Sequence, residues 1–355
     1  MRPRRRTGAI RLAGSATQGA LAVLALVLLI GVFLGWGWLA AQLDRPGPAE
    51  AALRVQVMPG TRLRGVLQRL QRAGAVRHAL AVEAFLRLQG HLPRIQAGLY
   101  EITPHESARQ IVTALAEGRV LLSQVTIVEG WSFAQMRTTL DADPDVQHDT
   151  RGLSDDVLMQ QLGHRGQPPE GRFFPDTYRF AAGSSDWRIL NMAYDRMQAT
   201  LQAAWAQRAA DLPLTSPDQA LTLASIIEKE SAREDERPRI AAVFVNRLRM
   251  GMRLQSDPTV IYGLGARYDG TIHTRDLTTD TAYNTYTRSG LPPTPIALPG
   301  AAALQAALHP EQSAVLYFVA SGLPDGSHHF SSTLAEHDAA VRDYLRRLGV
   351  AVQKP

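Results

Sequence analysis

The 355-residue chain contains no cysteine. That excludes disulfides and thiolate metal ligation, and it suits an oxidising compartment, where unpaired thiols are a liability. It also lacks a charge surplus outside its first residues. The formal net charge of +5 is matched by Arg2, Arg4, Arg5, Arg6 and Arg11, so the remainder is near neutral and composition gives nucleic-acid binding no support. No His-Glu-x-x-His pattern occurs. His328, His329, His337 and Asp338 do cluster near the C-terminus, but adjacent histidines on a strand point to opposite faces. No metal and no cofactor is expected, and His329 is expected to border a binding cleft instead. The last absence is of any charge between Ala20 and Ala41. A run of that length crosses a hydrocarbon core of about 30 Å. With the arginines before it, the positive-inside rule puts the amino terminus in the cytoplasm and the rest outside. The stretch Trp36–Ala41 does not place small residues at both positions a signal peptidase needs, so a retained anchor is expected over a cleaved signal.

The order of patterns predicts an α+β protein in five parts. These are a basic cytoplasmic tail (1–19), a single transmembrane helix (20–41), a Pro/Gly linker (42–52), a small α+β module (53–129) and a larger α+β domain (130–350). Arg54 to Met58 alternates as a strand, Pro59-Gly60 turns, and Leu63, Val66, Leu67 and Leu70 form a helical stripe. The sequence Val125-Thr-Ile-Val-Glu-Gly130 followed by Phe133, Met136 and Leu140 weakly echoes that unit. Helices are predicted near Trp187–Arg208, Pro217–Ala232 and Pro238–Met250, a buried strand at Leu316–Ala320 and a closing helix at Leu334–Leu348. The proline-rich loop Ser289–Gly300 is rigid by composition and could wall a cleft.

The stretch Leu223-Ala-Ser-Ile-Ile-Glu-Lys-Glu-Ser231 sets an acid among apolar residues. At about 100° per residue, Leu223, Ile226 and Ile227 share a side, and Glu230 lands in its middle. Glu228 points away and is expected to be solvated, since residues two apart do not share a helix face. A carboxyl against hydrocarbon loses hydration, its pKa rises, and it can hold a proton near neutrality, as a general acid must. The bland alternative is that Glu230 caps a crossing helix or pairs with Arg233 or Arg237. A second amphipathic helix follows, with Ile240, Val243, Phe244 and Leu248 inward and Gly251 as its stop. Asp257-Pro258 fits an N-cap and first helical position.

Ala224-Ser-Ile-Ile-Glu-Lys-Glu230, Val243-Phe-Val-Asn-Arg-Leu-Arg249, Gly251 to Gly263, Thr281-Ala-Tyr-Asn-Thr-Tyr286, Gly290-Leu-Pro-Pro293 and Glu170 to Tyr178 stand in order along the chain. This set closely resembles the YceG-like endolytic murein transglycosylases. The resemblance implies cleavage of the MurNAc–GlcNAc bond of peptidoglycan to leave a 1,6-anhydro-MurNAc end, with Glu230 as the catalytic residue. It implies a LysM-like module within Leu53–Glu129, which could grip glycan or act as a spacer. It also implies action on nascent strands beside the inner membrane, with peptidoglycan synthases as candidate partners. Ordinary glycosidases use two carboxyls, about 5–5.5 Å apart for retention or about 6.5–9.5 Å for inversion. A lytic transglycosylase needs no external water, so one residue can act as acid and then as base. Ser231, Gln255, Tyr262, Tyr283, Asn284 and Tyr286 are the candidate substrate contacts, Asn284 foremost because it lies inside the best-matching motif. Ala297-Leu298-Pro299 departs from the family's commoner pattern, in which a polar residue often precedes Pro-Gly. A non-catalytic glycan-binding scaffold is the rival reading.

Overall fold

The computed structural model describes residues 13–349 apart from Pro59, His91 and Ala232. The arginine-rich tail through Arg11 and the proline of the expected Pro59-Gly60 turn lie outside the described residues. The chain divides into two compact units, one holding the residues up to Ser123 plus Ala181–Gly183, the other Gln124–Phe180 and the residues from Ser184 onward.

In the first unit, α1 (Ala13–Asp44) leads into β1 (Leu53–Val57), α2 (Leu63–Arg72), α3 (Ala79–Leu88), β2 (Gly98–Ile102) and α4 (Ala108–Glu117). β1 and β2 pair antiparallel with Val55 opposite Tyr100, and the predicted stripe of α2 is buried at Val66, Leu67 and Leu70. The segment expected as a linker does not hang free. α1 runs unbroken to Asp44, and Leu43 is fully buried in the core of this unit with Val82, Phe85 and Ile111. A side chain at Gly47 would overlap the backbone carbonyls of Glu106 and Ala75. The reason is packing: the last apolar turns of α1 have neighbours to bury against, which composition does not report.

The second unit comprises β3 (Leu122–Thr126) from Gln124, α5 (Phe133–Ala142), β4 (Val146–Gln147), α6 (Asp155–Gln161), β5 (Thr177–Ala181) through Phe180, β6 (Ser184–Ser185), α7 (Asp186–Ala206), α8 (Pro217–Glu230), α9 (Arg237–Arg249), α10 (Asp257–Leu264), α11 (Thr274–Thr278), α12 (Ala301–Leu308), β7 (Tyr317–Ala320), β8 (His328–Ser331) and α13 (Leu334–Arg347). The strands form only two-stranded sheets, β3 with β5, β4 with β6, and β7 with β8. α8 is the centre. Ser216 caps it, its side chain accepting from the Gln219 N–H, with Pro217 in the first turn. Every residue from Ala220 to Ile227 is buried, packed against α7, α9, α10 and α12. A helix covered all round belongs to the core rather than to a surface. The strand expected from Val125 begins three residues earlier, and the one expected to be buried at Leu316–Ala320 is half-buried on β7.

Candidate active site

Glu230 is the final residue of α8, where the backbone turns extended at Ser231. Its Oε1 accepts a 2.5 Å hydrogen bond from the Ser256 hydroxyl, the only side-chain hydrogen bond to Glu230 among the described residues. Loss of hydration pushes the carboxyl up to about 7. The nearby Asp257 adds to the rise, while the Ser256 bond and, more weakly, Arg247 oppose it. Glu230 faces a cavity of about 420 Å³ lined also by Arg247, Gln255, Asp257, Tyr286, Tyr317, Phe318, Leu334 and His337. A carboxyl that is half protonated near neutrality and opens on a cavity can donate its proton to a bound molecule and take one back.

The arginines proposed as partners for Glu230 are engaged elsewhere. Arg237 holds Glu228 at 2.8 Å, and Arg233 holds Asp235 at 2.7 Å. Glu228 itself departs from expectation. Its side chain is only 4% exposed, and its second oxygen accepts from the Gly300 N–H at 2.9 Å. Burial raises its pKa despite both partners. A helix direction did not fix what surrounds Glu228: α8 is covered on every side from Ala220 to Ile227, and the Glu228 side chain extends that cover into the last turn, where Lys229 is exposed.

Ser256 reaches Glu230 because the segment before α10 is pinned. Its N–H donates to the Thr285 hydroxyl at 3.0 Å, and the N–H of Gln255 donates to the Thr285 carbonyl. Gln255 adopts φ +52°, a left-handed conformation that costs a non-glycine residue of order 1 kcal/mol and concentrates at functional sites. The expected cap moves by one residue. Ser256 holds the N-cap position of α10, Asp257 begins the helix, and the Asp257 carboxylate accepts from the Tyr286 hydroxyl at 2.6 Å. Arg247 is buried beneath the cavity, donating to the carbonyls of Leu316 and Leu254, both at 2.7 Å, with its guanidinium 5.2 Å from the centre of the Tyr317 ring.

Of the catalytic and substrate-contact residues expected from the sequence, the cavity therefore collects Glu230, Gln255 and Tyr286. Asn284 is buried as scaffold: its amide donates to the carbonyls of Asp276, Leu277 and Thr279, and its oxygen accepts from the Tyr286 N–H. It thereby tethers the segment that carries Tyr286. Tyr262 turns away from the cavity, donating to Glu170 at 3.1 Å and meeting Tyr283 edge-on. Tyr283 and Asn284 border a separate cavity of about 280 Å³ walled by Arg288–Pro293. Ser231 is buried, its hydroxyl accepting from the Arg233 N–H. His329 is exposed on β8, whereas His337 lines the cavity and stacks on Tyr317 at 5.1 Å. Ala297 and Leu298 are core residues, Leu298 bonded through its backbone to Trp131 and Gly130, so the departure at that motif does not touch the cavity.

Ser256, Asp257, Arg247, Tyr317 and His337 join the site without a signal in the sequence that marks them as site residues. Ser256 and Asp257 lie inside one of the family-like motifs, but nothing local to the sequence brings them to Glu230, 26 and 27 residues away along the chain. Among the described residues, Asp141, His148 and Asp186 bring potential metal-binding atoms within 4.8 Å of one another. The Asp186 oxygens already accept from the Asp149 and Thr150 N–H groups and the Thr150 hydroxyl, which gives that carboxylate a structural task.

Residues 55–343 match the model of the YceG-like family. The chain is 28% identical over 317 residues to the endolytic murein transglycosylase of Bacillus subtilis strain 168, covering 84% of this chain and 86% of that protein. It is 25% identical over 354 residues to the protein of the same name in Streptococcus pneumoniae strain D39, and there spans 63% of the relative's length. A solved yceG-like protein of Listeria monocytogenes shares 28% identity with a TM-score of 0.52, covering 82% of this chain and 99% of that one. With the family model running from the first strand to the last helix and relatives aligning over most of its length, this chain belongs to the YceG-like family.

Proposed function

We propose that the protein is a membrane-anchored endolytic lytic transglycosylase of peptidoglycan, with Glu230 as its acid and base. The observation that carries this reading is a carboxyl held at about 7 on the wall of a cavity. Protonated Glu230 gives its proton to the oxygen linking MurNAc C1 to the next GlcNAc, and that C–O bond breaks. The Ser256 hydroxyl stabilises the carboxylate as it forms. The MurNAc 6-hydroxyl then attacks C1 and surrenders its proton to Glu230, closing the 1,6-anhydro ring and restoring the acid without water. Asp257, held by Tyr286, supplies negative charge on the same cavity while positive charge develops on the sugar.

Mass spectrometry of uncrosslinked strands treated with the full-length protein tests this reading. Anhydro ends that vanish with Glu230→Gln are expected; reducing MurNAc ends would instead make the protein a hydrolase, and unchanged strands would favour the scaffold.

The membrane reading is supported by the uncharged run within α1, whose apolar side chains are exposed from Leu21 to Leu34, and by the arginines that precede it. An intact N-terminus resisting alkaline extraction from the inner membrane is expected; loss of the first forty residues would mark a cleaved signal instead. Anchoring beside the bilayer suits the cutting of nascent strands and an association with synthases. A pull-down that recovered no synthase with either the full chain or an anchorless one would count against the association. For the first module, the β1-α2-α3-β2 order with antiparallel strands supports a small LysM-like α+β unit. Glycan co-sedimentation separates grip from spacer.

A further inference from the structure

α3 is apolar on two faces. Ala79, Val82, Phe85 and Leu86 are buried in the core of the first unit. On the other side Leu80 and Leu88 are 61% and 63% exposed, and with the exposed Ala84 they follow one another at four-residue steps, a stripe along one helix face. The fold makes no use of that outer stripe, and exposed apolar surface of this kind marks an interaction site.

Its position in the first unit says with what. α3 packs on α1, with the Trp36 ring 5.1 Å from Phe85 and the Trp38 ring 6.0 Å from His78. Both tryptophans fall within the uncharged run that ends at Ala41. That run extends to about 33 Å at ~1.5 Å per residue, a little more than a hydrocarbon core of about 30 Å. Its last turns thus reach headgroup level, where tryptophan is enriched, and α3 lies beside those same turns. Charge agrees. Residues 53–123 contain ten arginines and no lysine against four glutamates and no aspartate, a formal +6, whereas residues 124–355 hold 22 basic against 27 acidic residues, a formal −5. Arg77 and Arg87 flank the stripe, both exposed.

We propose that the outer face of α3 is a docking surface for anionic phospholipid, with Leu80, Ala84 and Leu88 entering the interface and the arginines of the module meeting the headgroups. The proposal rests on the reading of α1 as a membrane span. Lipid fits better than the acidic stem peptides of peptidoglycan, because a leucine stripe gains free energy from an apolar phase and little from a hydrated peptide. The electrostatic part acts only within a Debye length, about 10 Å at 0.1 M salt, which contact along α1 satisfies.

Because the chain lacks cysteine, single labels can be placed at will. Full-length protein carrying Leu80→Cys, Leu88→Cys, Leu28→Cys or Glu117→Cys, each bearing an environment-sensitive fluorophore, would be reconstituted in phosphatidylcholine vesicles with or without phosphatidylglycerol. The Leu80 and Leu88 labels are expected to shift to the blue and to be quenched by lipid-borne quenchers, more strongly with phosphatidylglycerol. Glu117, more than half exposed on α4, should stay open to aqueous iodide. Arg77→Glu with Arg87→Gln, whose amide can still donate to the buried Glu83 that Arg87 holds at 2.6 Å, should abolish the phosphatidylglycerol-dependent part and leave the Leu28 signal intact. Lipid quenching at Leu28 alone, with the α3 labels as open to iodide as Glu117, would overturn the proposal. Equal quenching in both vesicles would overturn its headgroup selectivity. Loss of iodide access only on adding glycan strands would reassign the face to glycan. Absence of lipid quenching at Leu28 would instead overturn the membrane span itself.

Discussion

Glu230 and Glu170 are two glutamates of one structural unit, and burial pushes both carboxyls up to about 7. They differ in what surrounds the charge. Glu170 is 7% exposed, and its oxygens accept from the Phe133 N–H at 2.9 Å and the Tyr262 hydroxyl at 3.1 Å. It ties the start of α5 to the middle of α10 and borders neither of the cavities described. Glu230 has one hydroxyl partner and a cavity wall. A raised pKa shows that a carboxyl has lost water; it does not show that the proton can go anywhere. Access separates an acid that catalyses from one that holds two elements together.

The sharpest break of this comparison is the pair of isosteric amides. Glu230→Gln is expected to lower the rate of anhydro-product formation by about 10²–10⁴-fold, the range of general acid–base catalysis, with the melting temperature unchanged or raised. Glu170→Gln should stay within a few-fold of the parent rate. Should both lose activity equally at unchanged stability, access would not be what distinguishes them.

Next in size is Glu228→Ala, which leaves the 5%-exposed Arg237 without its partner. Removing one member of a buried pair costs about 3–5 kcal/mol, read as a fall in the urea midpoint. A loss under 1 kcal/mol would mean that Glu228 is solvated after all.

The pH dependence sharpens the contrast further. A carboxyl whose folded pKa of about 7 exceeds its unfolded value binds more protons in the native state between about 4.5 and 7. Stability therefore falls as pH rises through that window, by at most about 1.4 kcal/mol per pH unit for each group. Glu170→Gln should flatten the slope of stability against pH between 5 and 7 while leaving the alkaline limb of kcat/KM near pH 7. The Glu230 substitution removes its own share of that slope along with the activity. An alkaline limb that moved with Glu170→Gln would sink the division of roles.

The smallest effect belongs to Ser256→Ala. The Ser256 bond holds the Glu230 pKa down, so its loss should move the alkaline limb of kcat/KM upward while the rate falls about tenfold, the worth of a hydrogen bond to a developing charge. A limb that stayed in place would mean the serine only packs.

The apolar run of α1, the stripe of α2 and the burial of Glu230 were legible in the sequence because each follows from residues a few positions apart, whose relation helix geometry sets. The same geometry misled at Glu228, since a helix wheel assigns directions and not what fills them. Asn284 stood in the most telling motif and proved to be scaffold, for a pattern of residue types does not distinguish an amide that meets substrate from one that ties down the backbone carrying Tyr286. Sequence alone determined that Glu230 would lie on the apolar side of α8 with Leu223, Ile226 and Ile227, because helix geometry fixes which nearby residues share a face. Tertiary structure alone decided that Ser256 would reach it, that Arg247 and His337 would line the same cavity, and that Glu170 would be sealed. Those outcomes depend on residues 17 to 107 positions apart coming together, and the free energy of such contacts comes from packing that no local window contains.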